Sequence, residues 1–185
     1  MDRIDKLLIR HCSPTLASIK TAGLFNYYFS LKNEFEQSIQ ESNHQLNSKG
    51  VFLEVLRLED FHALILVYRE SQLKKDLKNR GVAEFLSGYG YGMDSVAGCI
   101  RHLKQRFMAG KEFPHEIGIF LGYPLGDVTG FIENAGRNSI CSGCWKVYSD
   151  ECQAVKLFEK YKKCNQVYGR LFSCGRSVMQ LTVTA

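Results

Sequence analysis

The chain has 185 residues, 45% of them hydrophobic with twelve Phe and nine Tyr, enough for one domain that hides roughly 70% of the surface of its unfolded chain. Three prolines and no low-complexity run exclude a disordered chain, and a formal net charge of +5, spread along the sequence, excludes a polybasic tail. The longest apolar run, residues 63–68, is far too short to span a bilayer, and charges of both signs within residues 1–6 exclude an ordinary secretory signal, so a soluble, cytoplasmic protein is expected.

Residues 4–9 read as a short helix. Pro14 disfavours helix at Ser13 and suits the first position of a new helical turn. Residues 19–29 are ambiguous by periodicity, and Gly23 with its aromatic neighbours leans towards strand. Leu31, Phe35, Ile39 and Leu46 share one face of a helix that Gly50 ends, so residues 1–50 are mainly helical. Residues 51–58 and 62–68 are strand-like and separated only by Glu59, Asp60 and Phe61. So short a connection makes them an antiparallel hairpin. The second run is apolar on both faces and belongs at the centre of the sheet. Helices over 70–78 and 82–86 lead to a loop, residues 88–92. Asp94 caps a helix carrying Val96, Ile100, Leu103 and Phe107, which Gly110 ends. Residues 116–121 read as a buried strand, followed by a tight turn and a helix over 124–135. Residues 145–148 read as strand, Asp150 with Gln153 as a capping box opening a long helix, and residues 178–183 as a closing strand. The expected fold class is α/β (or α+β): a single mixed β-sheet of about five or six strands, including one antiparallel hairpin, covered by helices in a single domain over 1–185.

Residues 11–16 (HCSPTL), 113–124 (FPHEIGIFLGYP), 127–132 (DVTGFI) and 145–148 (WKVY) together resemble a family of uncharacterised proteins of anaerobic bacteria, catalogued only as a domain of unknown function. The resemblance runs over nearly the whole chain, and 113–124 is its most specific part. It implies a cytoplasmic bacterial protein and carries over no activity, cofactor or catalytic residue.

Four places hold residue types that do chemistry. Cys12 lies beside His11 ahead of an expected helix start, and a helix N-terminus or an imidazolium favours the nucleophilic thiolate. His115 would then act as base, with Asp127 or Glu116 orienting its ring, the logic of thiol hydrolases. The plain alternative makes Cys12 a small core residue. Gly122, Gly126 and Gly130 recur every four residues at a helix start, which suits either a bound phosphate or carboxylate or close packing. The spacing matches neither a Walker loop nor a dinucleotide fingerprint. Cys141 and Cys144 form a C-x-x-C pair leading into strand-like sequence, the wrong context for a redox motif, and too few further ligands accompany them for zinc, so no metal site is expected. The loop 88–92 offers two tyrosine faces to a planar ligand, or is merely a turn. With His11 and His115 available haem ligation stays open, and the cofactor is unknown. All seven cysteines are expected as thiols in a reducing cell.

The basic groups at Lys74, Lys75, Lys78 and Arg80 and at Lys156, Lys160, Lys162 and Lys163 read as solvated helix faces, so no nucleic-acid and no membrane partner is expected. The leading expectation is a small-molecule or cofactor site near 113–127, built from His115, Glu116, Gly122, Tyr123, Gly126 and Asp127. The alternative is a cysteine-dependent hydrolase or transferase with Cys12 as nucleophile and His115 as base. A third reading is a non-catalytic interaction protein.

Overall fold

A computed structural model describes residues 3–110 and 112–184. Its frame is an antiparallel sheet of β1 (Ala22–Tyr28), β2 (Val51–Leu58) and β3 (His62–Arg69) in the order β1-β3-β2. The hairpin and the central strand are where the sequence puts them: β2 runs against β3 from Val51↔Arg69 to Leu58↔Ala63, with a register shift after Val55. Side chains alternate across the pleat. Phe25, Tyr27, Leu53, Ile65 and Val67 face one way, and Ala22, Leu24, Leu56, Leu66 and Tyr68 the other.

The first face is covered by α1 (Arg3–Leu16) and α2 (Lys32–Leu46), which delivers Phe35 and Leu46 to the core. The second face is covered by α3 (Glu70–Leu77), α4 (Arg80–Ser87) and α5 (Val96–Ala109). Along α5 the buried residues include Val96, Ile100, Leu103 and Phe107, the predicted stripe. Its cap is Ser95, one residue beyond the expected Asp94: the Ser95 side chain accepts from the Gly98 amide.

The strand expected over 116–121 is instead a short helix, α6 (Ile117–Phe120), followed by α7 (Leu125–Glu133). A fully apolar run carries no alternation to separate strand from helix. Here the close approach of α6 to α7 decides: a Cβ on Gly118 would sit 2.7 Å from a Val128 methyl. Gly122 turns the chain between them with φ 76° and leaves no room for a side chain beside Thr21.

The single sheet of five or six strands is corrected too. A separate two-stranded ribbon, β4 (Cys141–Ser142) with β5 (Lys146–Val147), replaces the longer strand expected over 145–148. It packs on α8 (Glu151–Ser173), whose Asp150 cap accepts from the Gln153 amide as predicted. The closing strand over 178–183 is a helix, α9 (Val178–Leu181), opened by a reciprocal capping box between Ser177 and Gln180. Both α8 and α9 return to the first face of the sheet through Phe172, Val178 and Leu181.

The first helix does not stop at residue 9. It runs through Pro14, which sits in the last turn. Its terminal carbonyls are met by Arg69 at the end of β3, a fully buried side chain. Arg69 donates to the carbonyls of Thr15 at 2.6 Å, Leu16 at 2.7 Å and Val183 at 2.6 Å. No carboxylate pairs with it among the described residues.

Candidate functional site

A cavity of about 290 Å³ lies between α6, α7 and the ribbon. Its apolar wall comes from Leu24, Phe113, Ile117, Leu121, Val128 and Phe131. The far wall is Trp145, and His115 stands exposed at the rim. The His115 ring lies 4.9 Å from that of Phe131 and 5.7 Å from that of Phe113, and its nitrogens have no hydrogen-bond partner among the described residues.

Asp127 holds this wall in place. One carboxylate oxygen accepts from the Tyr148 amide at 2.8 Å, the Ser149 amide at 2.9 Å and the Ser149 hydroxyl at 2.7 Å. The other accepts the Trp145 indole N–H at 2.7 Å. Burial pushes the carboxyl pKa up, but these bonds together outweigh it and hold it below the ordinary carboxylate value. A carboxylate with so many donors has little capacity left to orient His115. The Trp145 ring is further fixed by stacking on Tyr123 at 4.8 Å and by the edge of Phe158 at 4.6 Å.

Behind His115 lies a second, more polar groove between α5 and residues 112–116, shared with the cavity through Phe113 and His115. Glu116, 1% exposed, accepts from Arg106 Nε at 2.8 Å and from the Tyr91 hydroxyl at 3.2 Å. The Glu116 bond raises the Arg106 pKa above its usual value, while burial and then Glu116 raise that of Tyr91. The arginine also lies over the Tyr89 ring at 5.5 Å.

The structure therefore brings His115, Glu116, Tyr123 and Asp127 into one neighbourhood, and it leaves Cys12 out. The Cys12 sulfur packs against Gly23 on the first face of the sheet. The cavity is floored by Leu24, the next residue of the same strand and so on the opposite face. Cys12 is fully buried inside α1, not at a helix start, and burial pushes its thiol up to about 12. The pair required by a Cys12–His115 mechanism is not formed. Limited alkylation at neutral pH is expected to label Cys152 and Cys174, both exposed, well before Cys12. Peptide mapping that finds Cys12 among the first thiols modified would reverse this placement.

The glycines fall to packing and turning. A Cβ on Gly126 would sit 3.2 Å from Ser149, and one on Gly130 would sit 2.6 Å from the Tyr148 ring, so α7 approaches the ribbon closely. Cys141 and Cys144 straddle the turn of the ribbon as free thiols. Among the described residues no group of three or more His, Cys, Asp or Glu is placed to hold a metal ion.

A family model described as "Protein of unknown function (DUF3793)" matches residues 8–182. The chain belongs to the DUF3793 family. The match takes in both walls of the cavity, the Arg106–Glu116 pair and the sheet beneath them. Comparison with the curated proteins and with the solved structures returned no match.

Sequence reasoning missed Trp145 as a site residue, reading it only as the start of a strand. It also missed Phe113 and Phe131, which flank His115, and Arg106, which fixes Glu116. The available signal was that Trp145 is the one tryptophan of the chain and lies inside a motif carrying the resemblance.

Proposed function

We propose that this DUF3793 chain binds a small molecule whose apolar body fills the cavity and whose polar end meets His115. The observation that supports the reading most is the combination of an apolar hollow, a wall fixed by Asp127, and an unpaired imidazole at the rim. Ligand sites are usually concave, mostly apolar hollows with a few convergent polar groups. A volume of about 290 Å³ is at the small end of that range, which favours a compact aromatic or aliphatic ligand. No helix among the described residues is long and apolar enough to cross a membrane, and seven unpaired thiols support a reducing, cytoplasmic setting.

Trp145 makes the test direct, because the chain's one indole lines the cavity. Titration with cyclohexanecarboxylate or hexanoate, which do not absorb where tryptophan is excited, is expected to change its emission saturably. The Val128→Phe variant, which fills the hollow, is expected to abolish the change while keeping its circular dichroism. Unchanged emission with both probes, or an undiminished response in a folded Val128→Phe protein, removes the reading.

A further inference from the structure

A third hollow, of about 330 Å³, opens where the loop after α1 meets α3 and α8. Lys20, Thr21, Gln72, Lys75, Asp76 and Tyr161 line it. Lys20 is unusual in its surroundings. Its ammonium lies 5.2 Å from the Tyr123 ring and 5.8 Å from the Tyr161 ring, with no ion pair or side-chain hydrogen bond among the described residues. Two aromatic faces stabilise a cation less well than water and a carboxylate do. Burial accordingly lowers the Lys20 pKa, partly offset by the Cys12 and Cys144 thiols, so more of the amine is neutral and nucleophilic. Across the hollow Asp76 accepts from the Thr21 hydroxyl, and burial raises its carboxyl pKa, partly offset by Thr21 and Lys75. The backbone supports the same place: Ser18, which also lines the hollow, is held at φ 59°, a conformation that costs a non-glycine residue energy. Gln72 fixes it by donating to the Ser18 carbonyl at 3.0 Å and hydroxyl at 2.9 Å.

We propose that Lys20 captures small oxo acids in this hollow as an imine, with Lys75 attracting their carboxylate. The neutral Lys20 Nζ attacks the carbonyl carbon and forms a C–N bond. Asp76 gives a proton to the carbonyl oxygen and takes one back from nitrogen. Asp76 then returns that proton to the new hydroxyl, which leaves as water while the nitrogen lone pair closes the C=N bond, and the iminium keeps the remaining amine hydrogen. No oxidant or reductant enters the step. It proceeds independently of the cavity at His115, which shares none of these lining residues.

The test uses the full chain with glyoxylate and cyanoborohydride at neutral pH, followed by proteolysis and peptide mapping of carboxymethylated lysines. Lys20 is expected to be modified several-fold faster than the median lysine, because burial lowers its pKa and leaves more of the amine neutral. Its rate is expected to saturate with glyoxylate, at a lower concentration than with acetaldehyde. Labelling of Lys20 no faster than that of surface lysines overturns the proposal. So does a rate linear in glyoxylate, which describes a reactive amine without a site. Saturation at equal or lower acetaldehyde overturns the oxo-acid class.

Discussion

Replacing Asp127 with alanine is expected to destabilise the protein by about 2–4 kcal/mol, since it strands a buried indole donor together with two backbone amides. The loss concentrates at the joint between α7 and the ribbon, so Trp145 reports it. Urea unfolding followed by tryptophan emission should show a lower midpoint, and the folded variant should emit to the red of wild type. Asp127→Asn keeps an acceptor but loses the charge, and is expected to fall between the two. Because the folded carboxyl sits below its unfolded value, its contribution is complete above about pH 4 and is lost as pH falls through the folded pKa. Wild type should therefore lose stability on acidification below about pH 4 more steeply than Asp127→Asn. Equal acid slopes in the two proteins would show that the Asp127 charge contributes nothing to the joint.

Arg69→Met is expected to cost more, about 3–5 kcal/mol, because it removes three charge-assisted hydrogen bonds where α1 ends: the Thr15 and Leu16 carbonyls keep only their backbone donors, Ser18 and Val183, and the Val183 carbonyl loses its donor. Methionine fills much of the volume, so the loss reads mainly as missing hydrogen bonds. Arg69→Lys retains the charge but cannot span the carbonyls of Thr15, Leu16 and Val183 with one planar fork, and should recover only part of the difference. Hydrogen exchange offers a local check. Amides in the last turn of α1 and at Val183, which donates to the Leu16 carbonyl at 3.0 Å, should lose protection first. Stability within about 0.5 kcal/mol of wild type, the usual range for surface changes, would contradict the role assigned to this side chain.

The parts of the fold that were legible in the sequence are those where a local constraint leaves one solution. Three residues between two strands permit a hairpin and no crossover, and an Asp150 ahead of a long amphipathic run permits a helix start. Residues 116–121 were misread because a run buried on every side has no period to report. For 178–183 the information was present: Ser177 and Gln180 stand at capping-box spacing. Pro14 misled for another reason. A proline forfeits one bond, to the carbonyl four residues before it, and α1 continues only to Leu16, where Arg69, 55 positions after Pro14, meets the end carbonyls. That distance also explains Cys12, which was taken for a helix-start thiol and lies well inside α1. The neighbourhood of His115, Glu116, Tyr123 and Asp127 was readable because these residues are close in sequence. Their chemical standing was not, since the partners of Asp127 come from 145–149 and the partners of Glu116 from Tyr91 and Arg106.

The bond between Arg69 and Val183 spans 114 positions, and it imposes an order on biosynthesis. While the ribosome is still translating the C-terminal third, the sheet can pair and α1 can dock, but the guanidinium they enclose lacks its distal acceptor. The first face then also lacks Phe172, Val178 and Leu181. A nascent chain arrested before residue 170 is therefore expected to remain protease-sensitive and to recruit chaperones, and release past residue 183 is expected to complete the lock.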